Sequence, residues 1–208
     1  MNYKELLKKA ILLSIIALAA FSLLNGCNGD DDDDDDDNGD NTEVLMPLEQ
    51  GNFWKFAESH FYADSVIVDT DTVLIEIVKD TIIEGDTTWK WIQNNKDEIM
   101  FFKNHEDGLY MHAFRNSDSD TLYYYETPRL MFKYPAEIGD EWSGYEIIDT
   151  DTLISTPAGD FICYGYRDYD NPMNRRYFFA PGIGYIGTTT YYYDELNRDR
   201  KLVEFNIN

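Results

Sequence analysis

The chain has 208 residues, with 17 lysines and arginines against 40 aspartates and glutamates, and a formal net charge of −23. That balance rules against nucleic acid as a partner, because a polyphosphate is held by basic patches that release its counterions. From Pro47 to Asn208 the chain is long enough for one domain with a real hydrophobic core.

The first residues read as an export signal. Lys4, Lys8 and Lys9 give a positive start, and Ala10 to Leu24 is an uncharged run broken only by Ser14 and Ser22. The run is short for a spanning helix, which needs about 20 apolar residues. It stops at Leu24-Asn25-Gly26-Cys27, which resembles the bacterial lipobox, with Leu three positions before a cysteine and a small residue just before it. Asn25 departs from the usual Ala or Ser. The resemblance implies cleavage after Gly26 and acyl chains on Cys27. One acyl chain anchors only marginally, and several anchor lastingly.

Asn28 and Gly29 lead into eight consecutive aspartates, Asp30 to Asp37. There is nothing apolar to bury here and like charges repel, so residues 27–46 are expected to be the lipidated cysteine and a disordered linker. The tract also resembles the acidic export signals that follow the lipid cysteine in surface lipoproteins of Bacteroidetes-like bacteria. A defined calcium site is not expected, since a flexible run does not arrange oxygen ligands around one ion. Removing residues 1–26, with three lysines and one glutamate, lowers the charge from −23 to −25. Leaving out Asp30 to Asp37 and Asp40 as well brings the rest to −16, so the domain is acidic in its own right.

From residue 47 to 208 the pattern is β throughout. Val73 to Val78 is a strand. Thr81–Ile83 and Thr87–Gln93 flank a turn at Glu84-Gly85-Asp86, and Ile99–Lys103 and Leu109–Phe114 flank another at residues 104–108. Thr121–Glu126, Trp142–Ile148, Phe161–Arg167, Arg176–Ala180, Tyr185–Tyr193 and Lys201–Ile207 follow. In the last, Val203, Phe205 and Ile207 alternate with Glu204 and Asn206. Ten or eleven strands with short turns predict a single all-β antiparallel meander, strongly curved or closed into an incomplete β-barrel. A faint echo links Pro47-Leu48-Glu49-Gln50-Gly51-Asn52-Phe53-Trp54 to Pro135-Ala136-Glu137-Ile138-Gly139-Asp140-Glu141-Trp142. A second links Val66-Ile67-Val68-Asp69-Thr70-Asp71-Thr72-Val73-Leu74 to Glu146-Ile147-Ile148-Asp149-Thr150-Asp151-Thr152-Leu153-Ile154. Either two related half-sheets or a biased composition accounts for them.

Candidate chemistry is sparse. Gly182-Ile183-Gly184-Tyr185-Ile186-Gly187 has the dinucleotide spacing, but a β-favouring Thr-Tyr run follows where a helix is needed, so it reads as a turn between strands. Asn116 to Asp120 begins like a calcium loop but has Thr121 and Thr127 where Gly and Glu belong. His60, His105 and His112 show no zinc-ligand spacing. After Cys27, Cys163 is alone, so no internal disulfide forms and it reads as a buried, inert thiol. No catalytic residue, metal or cofactor is expected. The aromatics are the strongest remaining signal: Trp89 with Trp91, Tyr123 with Tyr125, and Tyr191 with Tyr193 each share a strand face. They read as core packing and cross-strand pairs, or as a face presented to a sugar or an acyl chain.

Four blocks together resemble uncharacterised bacterial lipoproteins with a DUF3108-like domain: Pro47-Leu48 with Gly51-Asn52-Phe53-Trp54, Tyr134-Pro135 with Gly139-Asp140-Glu141-Trp142, Thr156-Pro157-Ala158-Gly159-Asp160-Phe161-Ile162-Cys163-Tyr164, and Tyr177-Phe178-Phe179-Ala180-Pro181-Gly182-Ile183-Gly184-Tyr185. Residues 63–133 are outside the resemblance. It implies a sheet curved into part of a barrel, similar to lipoprotein carriers, and brings no catalytic residues. The expected protein is a non-enzymatic lipoprotein of the outer membrane, surface-exposed or facing the periplasm, held through lipid on Cys27. It would bind a glycan, a lipid or a protein. The rival expectation is a hydrolase acting on envelope glycans or peptides.

Overall fold

The computed structural model describes residues 43–62, 66–83, 85–93, 98–115, 121–169, 173–193 and 195–208. Cys27, the aspartate run and the Asn116–Asp120 segment lie outside them. Twelve antiparallel strands follow one another, with no helix among the described residues. The first six are β1 (Phe53–Tyr62), β2 (Val66–Ile83), β3 (Asp86–Gln93), β4 (Glu98–His105), β5 (Gly108–Arg115) and β6 (Tyr123–Lys133). The second six are β7 (Glu141–Trp142), β8 (Tyr145–Thr156), β9 (Gly159–Asp168), β10 (Asn174–Ala180), β11 (Gly184–Tyr192) and β12 (Glu195–Asn206).

Their spatial order is β6-β5-β4-β3-β2-β1-β12-β11-β10-β9-β8-β7. Every strand therefore lies beside its neighbour in sequence, and the last strand pairs with the first. The exception is β6 and β7, which are consecutive in the chain yet form the two sheet edges. The expected meander is present, curled into a nearly closed barrel whose one unsealed seam lies between them. Side chains cross that seam where backbone pairing does not. Tyr166 Oη donates to the Lys133 carbonyl at 3.0 Å, and Arg129 Nη2 donates to the Ser143 carbonyl at 3.2 Å. The Phe132 ring packs on Phe179 at 4.4 Å and on Tyr166 at 5.1 Å.

Alternation sets the core. On β2, Val73, Ile75 and Ile77 are buried, with Leu74 and Val78 only partly so. Trp54, Phe56, Ile147, Cys163, Phe179 and Leu202 join them inside. β1 itself was not among the strands read from sequence, and β2 fuses two of those segments into one strand. On β12, Lys55 faces Glu204 but Phe56 faces Leu202, so Val203 is a bulge that changes which residues point inward. The inward set above it is therefore Leu202, Arg200 and Arg198.

The N-terminal boundary moves. Residues 43–46, given to the linker by composition, belong to the barrel. Leu45 and Met46 are buried, the Val44 carbonyl accepts from Gly182 N at 2.8 Å, and the Met46 carbonyl accepts from Asn104 Nδ2 at 2.8 Å. Two large apolar side chains, Leu45 and Met46, outweigh the polar residues before them and plug the end of the barrel where β1 begins.

The half-sheet echo has a structural counterpart. Gly51 (φ 91°) and Gly139 (φ 90°) occupy the same turn position, where a left-handed conformation favours glycine. In the first turn Asn52 N donates to Glu49 O at 3.1 Å; in the second Asp140 N donates to Glu137 O at 3.0 Å. Gly51 N donates to Ile77 O and Gly139 N to Ile147 O, each at 2.9 Å. The barrel is thus two six-stranded meanders, each opened by the same turn and a tryptophan-bearing strand.

Candidate functional site

The inward positions of four neighbouring or facing strands change character along the barrel. Reading from the end where β4, β10 and β12 begin, β4 presents Glu98, Met100 and Phe102, and β10 presents Arg175, Tyr177 and Phe179. β12 presents Arg198 and Arg200 above buried Leu202, and β11 presents Thr190 and Thr188 above Tyr185. Successive inward residues are about 6.5–7 Å apart along a strand, so charge gives way to aromatic and aliphatic surface within about 13 Å. These residues, with Met131, Phe132 and Tyr145, line a cavity of about 340 Å³. Its floor is the core above the Leu45–Met46 plug.

The charges are specifically held. Glu58, inward on β1, faces Arg200 in the β1–β12 ladder, and Arg200 Nε donates to Glu58 Oε2 at 2.7 Å. The other Glu58 oxygen lies 3.1 Å from His60 Nε2 and 3.8 Å from Arg198 Nε. Burial works against the Glu58 charge, but Arg200, Arg198 and His60 outweigh it and hold the carboxyl below its ordinary value. Arg175 Nη1 donates to Tyr177 Oη at 3.1 Å. Burial opposes the Arg175 charge, and Tyr177 and Asp168 more than offset it. Burial raises the hydroxyls of Tyr145 and Tyr177, and pushes Tyr185 up to about 12.

The six aromatics read from sequence are not brought to one surface. Trp89 packs against the core from β3. Tyr123 and Tyr125 flank Phe114 at ring separations of 5.4 and 5.7 Å, on β6. Tyr191 lies under the Arg176 guanidinium, 5.1 Å away, in an outer groove beneath the β8–β9 hairpin. Tyr193 is exposed in a turn with φ 48°. The side chain of Trp91 lies outside the described residues. None of the five described ones lines the barrel cavity.

Gly182 and Gly184 form the β10–β11 turn at φ 72° and 99°, and no helix follows. Trp54 Nε1 donates to the Ile183 carbonyl between them at 2.8 Å, so the apparent nucleotide motif is spent on holding the barrel end. His105 and His112 stack at 6.2 Å across β4 and β5, a closeness their spacing did not show. Among the described residues, no group of three His, Cys, Asp or Glu side chains stands where it could hold a metal.

No family model matches this chain. No curated protein matches it either, and the DUF3108-like resemblance stands on the quoted motifs alone. The solved structures to which the chain is similar include two described as follows. One is a "putative lipoprotein" from Parabacteroides distasonis, 11% identical, covering 79% of this chain and 99% of its own, with a TM-score of 0.43. The other is a "putative exported protein with YmcC-like fold" from Bacteroides fragilis, 16% identical, covering 79% of this chain and 100% of its own, with a TM-score of 0.44. Likeness at that level assigns no activity.

Proposed function

We propose that the chain is a lipid-anchored envelope lipoprotein whose β domain is a non-enzymatic binding module, with the barrel cavity as its binding site. The observation that carries the binding reading is the lining of that cavity, where Glu98, Arg175 and Arg198 stand towards one end and Phe102, Phe132 and Phe179 lie deeper. The cavity volume of about 340 Å³ sits at the lower end of the roughly 300–1,000 Å³ that suits small ligands.

The anchor reading rests on the lysine-led apolar run ending at Leu24-Asn25-Gly26-Cys27, and the placement on the outer membrane, facing outward, on the aspartate run behind it. Metabolic labelling with a fatty acid tests the first: Cys27→Ala should abolish the label, and a labelled variant would overturn it. Protease added to intact cells tests the second, with full protection placing the domain inside the envelope. For binding, the soluble chain from Asn28 onward would be incubated with envelope lipid and glycan extract and weighed intact by native mass spectrometry. Met100→Trp, which fills the cavity, should remove the bound species. Retention by the filled variant would overturn the cavity as the site.

A further inference from the structure

The reading of the cavity as a binding site can be taken to a ligand class, and this inference rests on that reading. We infer that the cavity takes a single-chain amphiphile with an anionic head, a carboxylate or a phosphate. The apolar body lies against Phe102, Phe132 and Phe179 and the head lies at Arg175 and Arg198.

The direction of the gradient is the first argument. Each of β4, β10 and β12 carries a charged residue at its outermost cavity position, Glu98, Arg175 and Arg198, and an apolar one four residues deeper, Phe102, Phe179 and Leu202. A uniformly polar ligand would leave the deep aromatics with nothing to cover, and a uniformly apolar one would take water from Arg175 and Arg198 and give no polar group in return. The gradient runs about 13 Å, which fits a chain with one polar end. The small volume favours one chain over two.

The sign of the head is the second argument. Outside the signal, the aspartate run and Asp40 the chain carries −16, yet three of its arginines line this one cavity. Glu58 compensates chiefly Arg200, which donates to it at 2.7 Å. Arg198 reaches the remaining Glu58 oxygen only at 3.8 Å, and its Nε is buried with no hydrogen-bond partner. Arg175 donates to a tyrosine hydroxyl, with Asp168 acting on it as a charge. Among the described lining residues Glu98 is the one carboxylate. A planar guanidinium with a donor left over suits a carboxylate or phosphate oxygen, which forms short charge-assisted bonds with it.

The test is a charge series on one chain length. The soluble chain from Asn28 is titrated calorimetrically with dodecanoate, dodecyl phosphate, dodecanol and dodecyltrimethylammonium, each below its micelle concentration. Dodecanoate or dodecyl phosphate should bind at least about tenfold more tightly than dodecanol, and the cation should bind weakest. The tighter of the two anions identifies the head chemistry. Arg175→Gln should bring the ratio of anion to dodecanol affinity close to one, with the thermal midpoint as a check on folding. Equal binding of dodecanol and the anions, or preference for the cation through Glu98, would overturn the anionic head while leaving the cavity a binding site. Failure of all four to bind would overturn the amphiphile, and with retention of extract ligand by Met100→Trp would overturn the cavity as well.

Discussion

Arg200 on the last strand donates to Glu58 on the first, 142 residues away in sequence, and both side chains are almost sealed from solvent. The pair closes the barrel on the side opposite the seam. Removing one member strands the other, so Glu58→Ala should cost about 3–5 kcal/mol of stability by urea unfolding. Glu58→Ala combined with Arg200→Met should recover a large part of that loss. A double variant no more stable than the single one would show that the pair's surroundings, not the stranded charge, set the cost.

The same pair sets an acid limb. The Glu58 carboxyl lies below its ordinary value of 4.5 in the folded protein, so its stabilisation is fully present above that pH. It is lost as pH falls from there through the folded value. The thermal midpoint of the wild type should therefore drop across that window more steeply than that of Glu58→Gln. Parallel curves would assign the acid limb to other carboxylates.

Gly139 has open space around the position of a Cβ, so Gly139→Ala isolates the cost of its backbone conformation. At φ 90° this should be about 1–2 kcal/mol. Gly51→Ala, at φ 91° in the equivalent turn, should cost about the same and slightly more from contact with Asn208. A cost near zero at either position would mean that the turn rearranges and that the two halves are not built alike.

Met46 is fully buried and touches the place where Gly184 meets Trp54. Met46→Ala should destabilise by about 2–5 kcal/mol, as for other buried methionines. A chain started at Pro47 should lose at least as much. Equal stability of the two chains would return residues 43–46 to the linker.

Cys163 is sealed within the barrel wall, and burial pushes its thiol up to about 12. It should resist iodoacetamide at pH 8 in the native protein and react once the chain is unfolded in guanidinium. Labelling at the same rate in both states would contradict the packing around β9.

The sequence made most hairpins legible because their turns carry punctuation. The turn containing Gly85 and the residues around Gly108 separate strands where they were expected. β1 was harder to see. Its inward face runs Trp54, Phe56, Glu58, and the third member is tolerable only because Arg200 arrives from the far end of the chain. Alternation rules treat such a residue as facing solvent. The site was less legible still. Arg175-x-Tyr177-x-Phe179 and Arg198-x-Arg200-x-Leu202 have the right period, but arginines near strand ends read as surface charge, and the Val203 bulge hides which face turns inward. The conspicuous aromatic pairs went instead to the core edge, to β6 and to an outer groove, because ring clusters also serve cross-strand packing.

The ladder between β1 and β12 also fixes an order in time. A chain leaving the ribosome or crossing a membrane amino end first exposes β1 long before β12 exists. Until then the first meander has two unpaired edges, and Glu58 and much of the inner face lie open to water. Closure across a sequence separation of 142 slows folding, since long-range pairing is rewarded only after the loop entropy has been spent. The barrel therefore completes only after β12 is delivered, and any chain cut short of β12 keeps a sticky edge.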